Sequence, residues 1–118
     1  MKVTIKRADG TNTNDAKRKK IDLLDFGESQ NLELEIVEFS NRNLQNGMKW
    51  RASFKGVEIM ERSILRCASG RGMTINSALK NYAKEISEQR LVFGAHSNHR
   101  AEFNAPVLTY KSREEYNA

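Results

Sequence analysis

The chain has 118 residues, a formal net charge of +5, 38% hydrophobic residues and one cysteine. This length fits a single domain over residues 1–118 with its own core, and the lone Cys67 excludes an internal disulfide and any metal site built from cysteine pairs. No apolar run approaches the roughly 20 residues that span a bilayer, and the initial MKVTIKR is not typical of a signal peptide, so the sequence predicts a cytoplasmic protein that does not bind membranes.

The charge is unevenly distributed along the chain. Residues 1–20 carry +5, residues 21–41 carry −6 without a single base, and residues 42–118 carry +6. A uniformly basic surface favours nonspecific binding of polyanions. The basic–acidic–basic order instead predicts that the acidic segment lies against basic neighbours.

The first half of the chain predicts two strands and two loops. Alternation over residues 1–7 indicates a short strand, and a basic loop follows over about residues 8–20. The stretch IDLLDFGESQ fits either a short strand or a single helical turn. In NLELEIVEF the leucines and Ile36 alternate with glutamates, which predicts a half-buried strand with an acidic outer face, while Val37 and Phe39 fall on the other parity. Asn46-Gly47 is typical of a hairpin turn.

A second pair of strands is predicted in the middle of the chain. In KWRASFKGVEIME, Trp50, Ala52 and Phe54 share one face, and Gly56 is expected to introduce a bulge. The return strand is RSILRCAS, with the turn expected at Glu61-Arg62.

One amphipathic helix is predicted over residues 75–86, because its apolar residues recur at helical spacing. Thr74 is the expected N-cap, and Ser77 stands where a capping box would have Glu, so no capping box is expected. RLVFGA and AEFNAPVL read as further strands, and the polar residues from about 109 to 118 as a frayed tail. The fold class is therefore α+β: a mostly antiparallel sheet of about five to seven strands with one helix on one face.

The stretch Gly70-Arg71-Gly72 has two interpretations. Glycines before a helix N-terminus, with a nearby arginine, could hold an anion. The favoured alternative is a tight strand-to-helix corner, in which glycine supplies the required dihedral angles. The full phosphate-binding and dinucleotide-binding glycine motifs are absent.

Basic residues form two rows, one on the predicted strand and one on the outer face of the helix. Such rows bind nucleic-acid phosphates in some proteins, but they also serve as solvated polar faces, which is the favoured interpretation. Trp50 and Phe54 have the opposite parity and are expected in the core. The candidate ligand-binding or nucleic-acid-binding residues are Lys49, Arg51, Lys55, Arg66, Arg71, Lys80 and Lys84.

Catalytic signatures are missing from the sequence. His96 and His99 have no convincing third metal ligand near them, and there is no catalytic serine motif, paired-carboxylate signature or H-E-x-x-H motif. The expectation is a protein that is not an enzyme, with no catalytic residue, metal or cofactor.

Several motifs together resemble a known group of proteins. WRASFKGVEI is followed by GRGMTINSALKNYAKEIS, LVFGA and HRAEFNAP, and in this order they resemble small accessory proteins of temperate phages of Gram-positive bacteria. The resemblance covers residues 50–106. It departs from the family pattern where Asn76 and Ser77 replace the acids usual in the first helical turn.

The resemblance implies a phage accessory protein that acts in the host cytoplasm, without implying any site residue. Proteins of that class often bind and block a host or defence protein, and some are anti-CRISPR factors. The principal hypothesis is therefore a non-enzymatic binding protein whose partner is a host or defence protein. The alternatives are a nucleic-acid-binding accessory protein and a binder of a small anionic nucleotide, and a homodimer is left open.

Overall fold

The computed structural model describes residues 20–39 and 49–116. The predicted strand over residues 1–7, the basic loop except Lys20, and the Asn46-Gly47 turn lie outside these residues. The elements are β1 (Lys20–Asp22), α1 (Leu23–Ser29), β2 (Leu34–Glu38), β3 (Trp50–Phe54), β4 (Val57–Glu61), β5 (Ile64–Cys67), β6 (Gly70–Gly72), α2 (Ile75–Ile86), β7 (Arg90–Phe93), β8 (Ala101–Asn104), β9 (Val107–Thr109) and a 3-10 turn at Glu114–Tyr116.

The α+β class, the mostly antiparallel strands and the helix over residues 75–86 are confirmed. The described strands are divided over three sheets: β2-β3-β6 and β5-β4-β7-β8, both antiparallel, and a parallel pair of β1 with β9. The ambiguous stretch IDLLDFGESQ contains both a strand and a helix. Asp22 ends β1 and caps α1, because its carboxylate accepts hydrogen bonds from the N–H groups of Leu24 and Asp25.

A long, bent two-stranded ribbon links the two antiparallel sheets. Strand β3 continues into β4, and β5 returns into β6, so β3 pairs with β6 and β4 pairs with β5. Between these ladders the five residues 53–57 face only the two residues 68–69. This excess is a bulge at Gly56, whose φ of +75° suits glycine, and it confirms the predicted position. The hairpin turn lies at Arg62-Ser63, one residue beyond the prediction, because both residues take positive φ.

Helix α2 lies directly against β6. A Cβ atom on Gly70 would overlap the backbone of Ala78 and Tyr82, and one on Gly72 would overlap Ser77. Neither glycine has a positive φ. The expectation that these glycines supply corner dihedrals is therefore wrong: they permit close approach of a strand to a helix backbone.

The helix begins at a capping box that the sequence analysis did not expect. The Thr74 hydroxyl accepts from the N–H of Ser77 at 3.1 Å, and the Ser77 hydroxyl accepts from the N–H of Thr74 at 3.1 Å. Serine can close the box because its short side chain still reaches the N-cap amide. The exposed N–H groups at this end of α2 are thus partly satisfied by the chain itself.

Tyr82 is the centre of the core. Its side chain is fully buried, its ring meets the ring of Phe54 edge-on at 5.5 Å, and its hydroxyl accepts a 3.0 Å hydrogen bond from the N–H of Phe54. That N–H points beyond the end of β6 and has no partner strand there. Burial raises the pKa of Tyr82 to about 12, against a smaller lowering by the Phe54 hydrogen bond.

The C-terminal segment is tied to the start of α2. The buried Asn76 side chain accepts from the hydroxyl of Tyr110 at 2.6 Å and from the N–H of Arg113 at 3.0 Å, and it donates to the carbonyl of Arg113. Arg113 also forms a 3.3 Å ion pair with Asp22. A frayed tail is therefore not found over residues 110–116.

The contact between β6 and α2 predicts a large loss of stability for Gly70→Ala. We expect a loss of about 3 kcal/mol in the free energy of unfolding, because the added methyl group would push the helix backbone off the strand. Urea denaturation measures it. Gly56→Ala is the control: its Cβ has room, so only the positive φ is penalised, at about 1 kcal/mol. Equal losses in the two variants would contradict the close approach.

The buried hydroxyl predicts a pH-dependent effect of Tyr82→Phe. At pH 9 we expect a loss of about 1–3 kcal/mol, because the Phe54 N–H becomes unsatisfied. The folded-state pKa lies above the unfolded value, so the native protein loses this group's stability as pH rises through 10 to 12. The gap between the two proteins should therefore shrink by roughly 1 kcal/mol between about pH 9 and 11.

Urea midpoints at each pH give the measurement for Tyr82→Phe. Tyr116→Phe is the control, because the Tyr116 hydroxyl makes no hydrogen bond within residues 20–39 and 49–116. A gap between native protein and Tyr82→Phe that stays constant over this pH range would show that Tyr82 ionises normally.

Candidate functional site

Two arginines stand opposite each other on neighbouring strands of the three-stranded sheet. The bond from Phe39 N–H to Lys49 C=O, and the bond from Lys55 N–H to Glu33 C=O, show that odd-numbered residues of β3 bond to β2. Arg51 therefore faces Arg71 of β6 as a pair without hydrogen bonds between them. Side chains approach most closely in such pairs, and like charges placed directly opposite are destabilising.

Phe39 contacts both arginines. The guanidinium carbon of Arg71 lies 4.8 Å from the centroid of the Phe39 ring, and that of Arg51 lies 5.6 Å from it. These are cation–π distances, worth about 0.5–1 kcal/mol each at an exposed site. Within the described residues neither arginine has an acidic partner at ion-pair distance. We call Val37, Phe39, Arg51 and Arg71 the arginine face.

The surroundings of the arginine face combine apolar and acidic groups. Met73 follows β6 directly and is 61% exposed. Glu35 lies two residues before Val37 on the same side of β2, and Glu38 forms a 3.2 Å ion pair with Lys49. The prediction that the acidic segment lies against basic neighbours is confirmed for two of its acids. Asp22 pairs with Arg113, and Glu38 pairs with Lys49.

A groove opens beside the arginine face at the bulge in the ribbon. Its volume is about 330 Å³. Its floor is apolar, and its polar lining contains two bases, two acids, two hydroxyls and a thiol. We call it the bulge groove, and its polar lining residues are Glu35, Arg51, Ser53, Lys55, Glu58, Cys67 and Ser69.

The structure brings together some of the predicted site residues and separates others. Arg51, Arg71 and Lys55 converge on the arginine face and the bulge groove. Arg66 is engaged elsewhere: its guanidinium binds the carboxylates of Glu85 at 3.1 Å and Glu61 at 3.0 Å, which raise the pKa of Arg66.

The remaining three predicted residues lie outside these two surfaces. Lys80 and Lys84 are exposed on α2, which covers the opposite side of the three-stranded sheet. Lys49 forms an ion pair with Glu38. The seven basic residues therefore do not form one continuous basic surface.

The anion site proposed at the helix N-terminus is not formed around Arg71. Gly70 and Gly72 face α2, so the intervening Arg71 points to the other side of β6, where it contacts Phe39. Its backbone carbonyl accepts a 2.6 Å hydrogen bond from the side-chain amide of Asn81, which covers part of the edge of β6. The Arg71 side chain therefore does not lie at the N-terminal, positive end of helix α2.

Sequence reasoning missed the partners of the arginines. The signal was present in the parity of Val37 and Phe39, which set them apart from Leu34 and Ile36. Phe39 reaches over the central strand to Arg71, however, and such a contact depends on strand order. The sequence also gave no sign that Glu58 and Cys67 lie beside residues of β3.

The described residues contain no group of three His, Cys, Asp or Glu side chains that could hold a metal ion. His96 and His99 lie in an exposed turn. None of the helices in the described ranges is long and apolar enough to cross a bilayer. Comparison with known proteins gives no match: no family model, no curated protein and no solved structure matches this chain.

The opposed arginines predict an effect of charge at position 71. Arg71→Glu should be more stable than Arg71→Gln by about 0.5–1 kcal/mol at low salt, since Glu gains an attraction to Arg51 and both variants lose the contact with Phe39. Urea denaturation at about 20 mM and about 1 M salt gives the comparison, and the difference should vanish at high salt. Equal stability at low salt would mean that the two guanidinium groups do not interact.

Proposed function

We propose that this chain is a non-enzymatic binding protein that docks on an acidic region of another protein through its arginine face. The observation that carries the proposal is the pair of opposed arginines on Phe39, held without an acidic partner in the described part of the chain. An acidic partner would relieve the repulsion between Arg51 and Arg71. Arginine, aromatic residues and methionine are also the residue types enriched at protein interfaces.

The charges around the arginine face favour a protein over a nucleic acid. A nucleic-acid strand presents phosphates at regular short intervals, so it would meet Glu35 beside the arginines and Glu58 across the bulge groove. Arg66 and Lys49 are already paired with carboxylates, and the lysines of α2 face away. A protein partner can place a few acidic side chains over the arginines and leave the glutamates uncontacted.

The biological setting rests on the sequence resemblance to phage accessory proteins. It supports a host or defence protein as the partner, inhibition or modulation as the effect, and the host cytoplasm as the location. The absence of catalytic motifs in the sequence supports a binding role. Counter-defence activity, such as anti-CRISPR activity, belongs to this proposal.

Affinity capture from a nuclease-treated lysate of a Gram-positive host tests the proposal. We expect one protein to copurify in stoichiometric amount with the native chain and with the control Lys80→Glu/Lys84→Glu. Arg71→Glu should reduce capture by at least about tenfold, because it reverses a charge that the acidic partner needs. Titration of the purified pair then gives the dissociation constants.

Three outcomes would contradict the proposal. Capture unaffected by Arg71→Glu would exclude the arginine face. Binding to DNA or RNA that weakens steeply with salt would favour the nucleic-acid alternative. A rise in melting temperature with members of a nucleotide panel would favour the small anionic ligand.

A further inference from the structure

The bulge groove concentrates polar side chains that lack partners. Apart from the contact of Arg51 with Phe39, none of its seven polar lining side chains makes a hydrogen bond or ion pair within residues 20–39 and 49–116. Some other charges in this range are paired, as for Arg66 with Glu61 and Glu85 and for Arg113 with Asp22, and others, such as Lys80 and Lys84, are exposed singly on α2. Charged groups gathered around one concavity without internal pairing are available to an external ligand.

The strand pairing of the ribbon is also interrupted along the groove. The ladder between β4 and β5 ends at the pair Glu58 and Cys67, and the ladder between β3 and β6 resumes at Ala52 and Gly70. Ala68 and Ser69 consequently have no register partner in either ladder. Bulges of this kind interrupt pairing and redirect side chains. An extended chain entering here meets the interrupted ladder and the charged side chains beside it.

We propose that the bulge groove receives an extended peptide segment of the partner that carries charges of both signs. The proposal rests on the protein-binding function above and names the chemistry of the segment. Arg51 and Lys55 bind its carboxylates, and Glu35 and Glu58 bind its basic side chains. The hydroxyls of Ser53 and Ser69 supply hydrogen bonds to its polar groups.

The balance of charge decides between ligand classes. Two bases and two acids line the groove. A uniformly anionic chain is therefore attracted by the bases and repelled by the acids. Small-molecule sites carry a small number of polar groups in their lining, whereas seven of the residues lining this groove are polar and four of them are charged. Arg51 belongs to both surfaces, so a segment in the groove continues onto the arginine face.

Fluorescence anisotropy with the full chain tests the proposal. The probes are three fluorescein-labelled octapeptides: alternating Glu-Lys, octaglutamate and octalysine. At about 50 mM salt we expect the alternating peptide to bind at least about threefold more tightly than either homopolymer. Lys55→Glu and Glu58→Lys should each weaken its binding by about fivefold, which corresponds to about 1 kcal/mol.

These two substitutions change the net charge in opposite directions, so a net-charge effect cannot explain a loss in both. Lys84→Glu on α2 is the matched control and should change the affinity by less than about twofold. Lys55 and Lys84 are exposed and Glu58 is partly buried, so the urea midpoints of all three variants verify that they fold.

The groove proposal is overturned if octaglutamate binds as tightly as the alternating peptide, if the alternating peptide does not bind, or if the groove substitutions leave its affinity unchanged. Its failure is distinguishable from failure of the proposed function, because Arg71 does not line the groove. If the peptide test fails but a partner is still captured in an Arg71-dependent manner, the arginine face is retained as a binding surface and only the groove is excluded.

Discussion

The backbone of helix α2 rests directly on β6 at Gly70, and the Ser77 side chain and the Ala78 backbone nitrogen lie against Gly72. This contact brings Tyr82 to the end of β3, where its hydroxyl satisfies the N–H of Phe54. A wider strand residue at either glycine would lift the helix and open the core. The position of Tyr82 in the core and the direction of Arg71 on β6 depend on this close approach.

The same contact determines where the charged residues lie. Because the glycines face the helix, alternation along β6 directs Arg71 to the opposite face, beside Arg51 and Phe39. The strands that carry these residues also bend at Gly56, where five residues face two. The Tyr82 hydrogen bond holds the chain just before the bend. A buried helix contact and an exposed groove are thus linked through one short stretch of β3.

The start of α2 shows how a polar side chain can organise the C-terminal segment. Asn76 is 7% exposed and bonds to Tyr110 and to both backbone groups of Arg113. Arg113 in turn reaches Asp22, the cap of α1. A buried amide that is satisfied in this way restricts the register of the chain around it. Composition alone indicated a loose polar tail because it cannot reveal such long-range bonds.

The sequence by itself determined the features that depend on local pattern. The apolar spacing of α2, the Thr74 cap, the bulge at Gly56 and the inward parity of Phe54 follow from periodicity and from the conformational range of each residue type. Only the tertiary structure decided which basic residues converge. Arg51 and Arg71 are 20 positions apart and meet through strand order, while Arg66, equally basic in the sequence, is neutralised by Glu61 and by Glu85 on the helix. Pairing of charges depends on distances across the fold, and no local pattern encodes those distances.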